Sequence, residues 1–198
     1  LILPRIGQFL PADTVLEIAP GHGRWTEFLK DEARVLHAVD LSPNCIEACR
    51  KRFAADRNIV YHVNDGFSLD FVPDNSLDFV FSFDSLVHVD ADVIASYLRY
   101  LGKKMKPSGV AFIHHSNLLS VLEDSKRNAS EFKGCRSAQV SGKLFAELCG
   151  SFGLKCMCQE LITWNSEDLL DCLSLFARVD GEWEQKSKVI ENRDFVRQ

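Results

Sequence analysis

A loop containing two glycines separates a strand-like segment from a helix-like segment and is the part of this sequence best suited to bind a ligand. Residues 14–19 (TVLEIA) form an apolar run typical of a buried strand, and Pro20, Gly21, His22 and Gly23 follow it before helical spacing begins. The glycines permit backbone conformations and a close ligand approach that a side chain would block. Ligands of open α/β sheets bind beyond the carboxyl ends of the strands, so the pattern predicts a binding loop, with a plain strand–helix turn as the alternative.

The residues around this loop favour a positively charged ligand that lacks a phosphate. Glu17 ends the preceding strand, and a carboxylate there repels a pyrophosphate but attracts an ammonium or sulfonium group. The dinucleotide-binding pattern needs a small residue at position 26, where the chain has Thr26 beside the bulky Trp25. The lysine-containing phosphate loop is also absent from the sequence. A nicotinamide-dependent oxidoreductase is therefore disfavoured.

Polar residues also follow the next two strand-like runs. Asp40 ends the run 34–40, and a carboxylate at that position can accept hydrogen bonds from both hydroxyls of an adenosine ribose. Asn64, Asp65 and Gly66 end the third run, where they place an acceptor and a donor around the position of an adenine amino group. Asp and Asn are common in turns, so each position alone has a simple explanation. Polar residues at the ends of consecutive strands are much less expected by chance. Together they predict a cationic nucleoside that contains adenosine.

On these residues the chain resembles the class I S-adenosylmethionine-dependent methyltransferases. The segment 17–23 is similar to the first motif of that family, Asp40 to its ribose-binding acid and Asp65 to its adenine-side residue, and the segment 83–85 (FDS) is similar to its fourth motif beside the methyl donor. The resemblance covers residues 15–178 and is closest to bacterial small-molecule and glycan O-methyltransferases.

The resemblance implies a set of cofactor contacts and one departure from the family. Ala19 and Pro20 stand where many members begin the loop with glycine, which alters the fit of the loop but leaves Gly21 and Gly23 in place. The implied cofactor is S-adenosylmethionine, and its product is S-adenosylhomocysteine. The residues implied to contact it are Glu17, Ala19, Pro20, Gly21, His22, Gly23, Asp40, Leu41, Asn64, Asp65, Gly66, Phe83, Asp84 and Ser85.

Histidines are the candidates for the base that a hydroxyl acceptor requires, because their ordinary pKa lies at about 6.5. His88 follows the fourth strand in DSLVHVD, near the expected methyl donor, whereas His114 and His115 end the fifth strand. Adjacent strand residues point to opposite faces, so at most one of that pair reaches the cleft. We predict His88 as the base and His115 as the second candidate. A helix-capping or loop-anchoring hydrogen bond is the alternative for each.

The polar segment 117–140 reads as a loop over one edge of the sheet, and loops of this length are usually functional or disordered. The planar guanidinium of Arg136 suits a carboxylate or phosphate on the acceptor, and we expect Asn117 to contact the acceptor as well. Exposure to solvent is the simpler role for the cations of this segment, which are Lys126, Arg127, Lys133 and Arg136.

Neither the histidines nor the cysteines predict a bound metal. Asp84, His88, Asp90 and His115 do not have the oxygen-rich spacing of a magnesium site. The seven cysteines show no C-x-x-C spacing and no regular framework, which is typical of reduced, buried thiols. A reducing compartment follows, and we expect the cytoplasm.

Alternating strand-like and helix-like runs predict a doubly wound, mostly parallel α/β sheet that positions these residues. Only residues 163–168 join the last two strands, a link short enough to force an antiparallel hairpin. The expected Rossmann-like sheet therefore has seven strands, one of them reversed. The predicted strands are 14–19, 34–40, 59–65, 77–85, 110–116, 154–162 and 169–178, and the predicted helices are 24–32, 43–53, 92–104 and 141–152.

The length and the net charge of the chain limit its domain organisation and the partners that it can bind. The chain has 198 residues, which suits a single domain (1–198) with its core at about 14–178 and a polar helix or tail over 181–198. Lys and Arg number 23 against 28 Asp and Glu, and the net charge of −5 disfavours a nucleic-acid partner. No apolar run approaches the roughly 18 residues of a membrane span. Because the chain begins with Leu1 instead of Met, we expect native sequence to precede it.

These observations predict an O-methyltransferase that acts on a hydroxyl of a small molecule, sugar or glycan, as a monomer or a homodimer. The alternative is a non-catalytic adenosylmethionine-binding domain that regulates or scaffolds a partner. The histidines at positions 88 and 115 favour the enzyme, because a sensor has no need of a base.

Overall fold

The computed structural model describes residues 1–125, 127–132, 136–164, 167–183 and 186–195 of the chain. Two cations of the segment 117–140, Lys126 and Lys133, and one of the seven cysteines, Cys135, lie outside the described residues.

An eight-stranded sheet forms the centre of the described chain. In space the order is β3-β2-β1-β4-β5-β7-β6-β8. Strand β7 is antiparallel to both of its neighbours and the other pairs are parallel, so the predicted sheet with one reversed strand is confirmed. The strands are β1 (Ala12–Ile18), β2 (Ala33–Asp40), β3 (Ile59–Val63), β4 (Leu77–Ser82), β5 (Met105–Ser116), β6 (Leu154–Ile162), β7 (Asp171–Arg178) and β8 (Lys188–Asn192).

The main helices lie between the strands, as the alternation predicts. The start of the second long helix follows its predicted signals, because the Ser42 hydroxyl accepts a hydrogen bond from the Cys45 amide and Pro43 occupies the first turn. The helices are α1 (Leu3–Ile6), α2 (Thr26–Glu32), α3 (Pro43–Arg52), α4 (Ala91–Lys104), α5 (Leu118–Ser125) and α6 (Gly142–Ser151).

The strand order reverses at β1, which pairs with β2 on one side and with β4 on the other. Such a switch point leaves a crevice beyond the carboxyl ends of the two strands. Adjacent residues Val15 and Leu16 on β1 are both fully buried, because layers pack on both faces of the sheet. The crevice is thus the place where a ligand reaches the otherwise covered strands.

Three predicted features differ from the structure. The segment 181–198 contains the edge strand β8 instead of the predicted helix or tail. The polar and apolar residues of its sequence, KVIEN, alternate only weakly and most of its side chains are exposed, so no clear strand pattern is visible there. The segment 117–140 is not a plain loop, because its leucines and Val121 recur at helical spacing and form α5. The predicted strand 110–116 begins earlier, at Met105, and a shift in register opposite residues 77–79 accommodates Pro107 within β5.

Within the described ranges, no helix has both the length and the hydropathy needed to cross a bilayer.

Candidate active site

A cavity of about 300 Å³ opens at the carboxyl ends of β1 and β4, at the switch point of the sheet. The hydroxyl of Ser85 donates to the Ala19 carbonyl (3.2 Å) and that of Ser82 donates to the Ile18 carbonyl (3.0 Å), which ties the end of β4 to the glycine loop. The residues that line the cavity are Glu17, Ile18, Ala19, Pro20, Gly21, His22, Arg24, Trp25, Phe81, Phe83, Asp84 and Ser85.

The two glycines of the loop are required for different reasons. Both have positive φ angles, +57° at Gly21 and +82° at Gly23. A Cβ added at Gly23 would lie 2.4 Å from Cε2 of Phe53, so this glycine lets the loop pack against the end of α3. A Cβ added at Gly21 would meet no described atom within 4 Å. Gly21 therefore serves the backbone conformation and leaves open space for a ligand.

Two non-glycine residues at the cavity also have left-handed backbone conformations. The φ angle is +58° at Ala19 and +60° at Asp84, a region that costs an L-residue about 1–2 kcal/mol. Ala19 stands at the position where the sequence departs from the family pattern, and its φ explains why glycine suits that position. Strain of this kind persists where the surrounding contacts fix the backbone, and it is concentrated at functional sites.

Glu17 is a buried carboxylate at the base of the cavity. It is 2% exposed, and its Oε2 accepts a hydrogen bond from Thr26 Oγ1 over 2.6 Å. Burial raises the pKa of Glu17 to about 7, although the hydrogen bonds from Thr26 oppose the shift. A cation bound in the cavity would favour the ionised form of this carboxyl group.

Asp40 connects the end of β2 to the glycine loop. One carboxylate oxygen accepts from the Gly21 amide (3.2 Å) and the other from the Ser42 amide (2.8 Å). Carboxylate oxygens have further acceptor capacity, so both can still receive hydroxyl donors. The neighbouring Leu41 is 64% exposed and offers an apolar surface beside this carboxylate.

The residues after β3 form a compact turn. Asp65 Oδ1 accepts from the amides of Phe67 and Ser68, and these hydrogen bonds lower the pKa of Asp65. The side chain of Asn64 is engaged at both ends, because Nδ2 donates to the Ser68 carbonyl and Oδ1 accepts from Gly66. Asn64 thus holds the turn, and the predicted adenine contact is left to Asp65 and Gly66.

Asp84 lies at the rim of the cavity between two arginines. Its Oδ2 accepts from Arg24 over 3.5 Å, and its Oδ1 lies 4.0 Å from a terminal nitrogen of Arg136. Arg24 is mostly exposed, whereas the Arg136 side chain is only 9% exposed and donates from Nε to Asp171 (2.8 Å). The predicted acceptor-side arginine is therefore held in place beside the rim.

His88, His22 and His114 lie in three different environments. His88 is exposed, in a short 3-10 turn (Leu86–His88) that directly follows Ser85 of the cavity rim. His22 is exposed and lines the cavity from the glycine loop. His114 is fully buried, and its Nδ1 accepts from the Asp84 amide over 3.2 Å.

His115 does not reach the cavity, which corrects its placement as a second base. Its ring is fully buried and stacked on Phe145 at a centroid distance of 4.0 Å. Nδ1 donates to the Ser116 carbonyl (2.8 Å), so Nε2 accepts from the Ser174 hydroxyl (2.8 Å). Burial lowers the pKa of His115 to about 3. Because side chains alternate along a strand, His114 and His115 must point to opposite faces of the sheet. The alternation does not show which of these faces borders the cleft.

Asn117 is also a structural residue and does not line this cavity. It is 3% exposed, its Nδ2 donates to the Leu169 carbonyl (2.9 Å), and its Oδ1 accepts from the Gly142 amide (2.9 Å). Its amide joins the end of β5 to the start of α6. The predicted contact with the acceptor is therefore not supported by its position.

The cavity includes two aromatic residues, Trp25 and Phe81, that the motifs did not single out. With Phe83 of the predicted set they form an aromatic wall, with ring centroids 5.1 Å (Trp25–Phe81) and 5.7 Å (Trp25–Phe83) apart. Aromatic faces attract cations, as does the buried Glu17 carboxylate. The helical spacing of Trp25 pointed only to packing, so no pattern in the sequence distinguished its role at the cavity.

The described residues fit the cofactor that the motifs implied. Asp40 presents carboxylate oxygens for ribose hydroxyls, Leu41 presents an apolar surface for adenine, and the space above Gly21 admits the chain of the ligand. Glu17 and the aromatic wall suit the positive charges of a sulfonium and an ammonium group.

Comparisons with known proteins agree with this site. Residues 15–109 match the methyltransferase domain family. The chain is 34% identical over 116 residues to phosphoethanolamine N-methyltransferase 2 of Caenorhabditis elegans, covering 57% of this chain and 26% of the relative. It is 37% identical over 59 residues to ribosomal RNA small subunit methyltransferase A of Rubrobacter xylanophilus, covering 30% of this chain and 22% of the relative. The chain thus spans about a quarter of the length of these relatives.

Solved structures share the fold at low sequence identity. The PH0226 protein from Pyrococcus horikoshii OT3 superposes with a TM-score of 0.69 at 21% identity, covering 89% of this chain and 87% of that one. A TehB-like SAM-dependent methyltransferase from Corynebacterium glutamicum gives 0.61 at 16% identity, covering 84% and 80%. A DhpI–SAH complex gives 0.61 at 22% identity, covering 91% and 83%.

Residues 15–109 of this chain are thus similar to the methyltransferase domain family, and every residue that lines the glycine-loop cavity lies within that matched segment.

Proposed function

We propose that the protein transfers a methyl group from S-adenosylmethionine to a hydroxyl of a small molecule or a sugar, with His88 as the base. The observation that carries the proposal is the exposed His88 in the turn that leaves the cavity rim at Ser85. When bound, the cofactor supplies an activated methyl group. His88 accepts the hydroxyl proton, which then passes to solvent because the side chain is exposed.

Each group around the cavity has a distinct role in this proposal. Glu17 and the aromatic wall attract the cationic end of the cofactor, and Asp40 holds its ribose. The rim formed by Asp84 and Arg136 faces the acceptor, and positioning of the acceptor supplies much of the rate enhancement.

A small acceptor is favoured over a nucleic acid. The net charge of −5 opposes binding to a phosphate backbone, and the cavity holds about 300 Å³. The ribosomal RNA relative matches over only 59 residues. Methylation of RNA is therefore not the proposed function, and the acceptor screen described below tests for it.

Methylation of an amine is a second candidate function, because the relative with the longer match reported above is a phosphoethanolamine N-methyltransferase. The guanidinium of Arg136 at the rim suits a phosphate on such an acceptor. Asp84 would then face the amino group, and His88 would again receive a proton.

A matched set of acceptors separates these readings. The wild-type protein is incubated with S-adenosylmethionine labelled in the methyl group and with glycerol, glycerol phosphate, ethanolamine, phosphoethanolamine, monosaccharides or an RNA fragment. Label in a hydroxyl product supports the proposal, and label only in an amine product replaces it with the second candidate. Label in RNA alone overturns the small-molecule assignment.

The same screen tests the non-catalytic alternative. A regulatory or scaffold domain binds S-adenosylhomocysteine but transfers no label to any acceptor class. Transfer that is lost on His88→Ala, with unchanged cofactor affinity, excludes that reading.

A further inference from the structure

Asp171 is a buried carboxylate that anchors two side chains, His114 and Arg136, next to Asp84 of the cavity rim. Asp171 Oδ1 accepts from His114 Nε2 (3.0 Å) and from Arg136 Nε (2.8 Å). Asp171 and His114 are 0% exposed, and the Arg136 side chain is 9% exposed. Hydrogen bonds to a charged group in such an environment are short and strong, so the geometry of the three side chains is well defined.

The opposite edge of the His114 ring meets the backbone of the rim. Nδ1 lies 3.2 Å from the Asp84 amide nitrogen, and a backbone amide can only donate. Nδ1 is therefore the acceptor, and the ring proton lies on Nε2, where it is donated to Asp171. His114 thus joins the Asp171 carboxylate to the Asp84 main chain through one defined tautomer.

The residue held in this way has a strained backbone. Asp84 has a φ of +60°, a left-handed conformation that is strained for a non-glycine residue and persists only where other contacts fix it. The hydrogen bond to His114 is a contact of that kind. It fixes the direction in which the Asp84 carboxylate leaves the rim, between Arg24 and Arg136.

We propose that His114 is a positioning residue for methyl transfer: it holds Asp84 at the rim, while Asp171 orients both His114 and Arg136. This inference rests on the proposed function, because it concerns the acceptor side of the same cavity. His114 itself is buried and touches neither the cofactor nor the acceptor. The competing explanation is that His114 only fills space between Phe83 (4.7 Å) and Trp164 (6.4 Å).

Two amide substitutions separate positioning from space filling. In His114→Asn the side-chain oxygen reaches the position of Nδ1, so the acceptor for the Asp84 amide is kept and the bond to Asp171 is lost. In His114→Gln the amide reaches the position of Nε2, so the bond to Asp171 is kept and the acceptor is lost. Each variant removes one hydrogen bond, and thermal unfolding of both checks that they fold.

The two variants are expected to differ in turnover and not in cofactor binding. His114→Gln should lower kcat at least about tenfold, because small misplacements of catalytic groups reduce rates strongly. His114→Asn keeps the acceptor for the Asp84 amide and loses only the orienting bond to Asp171, so its loss of kcat should be smaller than that of His114→Gln. Affinity for S-adenosylhomocysteine should stay within about twofold in both. In an Asp84→Gly background, His114→Gln should cost nothing further, because the residue through which it acts has lost its side chain and its strain.

Hydrogen exchange and nitrogen NMR give a readout that does not depend on turnover. In the protein bound to S-adenosylhomocysteine, His114 should show an unprotonated Nδ1 and a protonated Nε2, and the Asp84 amide should be protected in wild type and His114→Asn but not in His114→Gln. If wild type methylates no acceptor, the proposed function fails while this measurement still decides the positioning. Equal losses in both variants, unprotected Asp84 in wild type, or an unchanged His114→Gln overturn the proposal.

Discussion

Glu17 and Thr26 form a buried hydrogen-bonded pair at the base of the cavity, with Thr26 Oγ1 donating to Glu17 Oε2 over 2.6 Å. The threonine that disfavours a dinucleotide pattern in the sequence therefore holds the buried carboxylate at the base of the cavity. Burial raises the pKa of Glu17 to about 7, from 4.5 for the ordinary side chain. The pair is arranged to hold a charge that a bound cation would stabilise.

This shift predicts a pH dependence of stability. Between about pH 4.5 and 7 the unfolded chain releases the Glu17 proton while the folded chain keeps it, so the free energy of unfolding falls as the pH rises through that window. The contribution is on the order of 3 kcal/mol. Glu17→Gln should remove this fall, as measured by urea unfolding at a series of pH values, whereas Glu47→Gln, an exposed carboxylate on α3, should leave it in place. A fall of equal size in Glu17→Gln would contradict the assignment.

The two loop glycines should respond differently to alanine. Gly23→Ala places a Cβ against the Phe53 ring and should destabilise the fold by about 2–4 kcal/mol, with part of the loss restored by Phe53→Leu. Gly21→Ala meets open space and should cost only about 1 kcal/mol for its backbone conformation, but should weaken binding of S-adenosylhomocysteine. Urea unfolding and calorimetric titration measure the two effects. Equal losses of stability in both variants would show that packing against Phe53 is not the reason for Gly23.

Substitutions at His88 and His115 should affect different quantities, turnover at His88 and the free energy of unfolding at His115. If His88 takes the acceptor proton, His88→Ala should lower turnover by about 10²–10⁴-fold and leave cofactor affinity nearly intact. His115→Ala removes a ring stacked on Phe145 and should cost about 2–4 kcal/mol of stability, with the remaining folded protein still active. A fully active His88→Ala would mean that proximity alone drives the transfer or that the acceptor is already ionised.

Much of the fold could be predicted from the sequence, because the strands of a doubly wound sheet are buried on both faces and read as continuous apolar runs. The reversed strand β7 followed from the short link before it. The edge strand β8 could not be predicted, because Lys188, Glu191 and Asn192 give it no apolar face. Helix α5 was obscured by the charged residues that follow its leucines.

The placement of Gly21 beside Asp40 was also predictable, because both follow the ends of adjacent parallel strands. The contacts around Asp84 were not. The pairing of Asp171 with Arg136 and His114 joins distant parts of the chain across the β5–β7 register, and no local spacing signals it. Asn117 and His115 were placed at the cleft by type alone, whereas tertiary packing buries both.

Calorimetric titration of S-adenosylhomocysteine into the wild type and the Asp40→Ala variant, with NADH as the comparison ligand, tests whether the switch-point cavity binds the proposed cofactor. We expect saturable binding of S-adenosylhomocysteine at one site, no binding of NADH, and a loss of about 1.5–3 kcal/mol in Asp40→Ala from its charged hydrogen bonds to ribose. Saturable binding of NADH with none of S-adenosylhomocysteine, or an unchanged affinity in Asp40→Ala, would contradict this expectation.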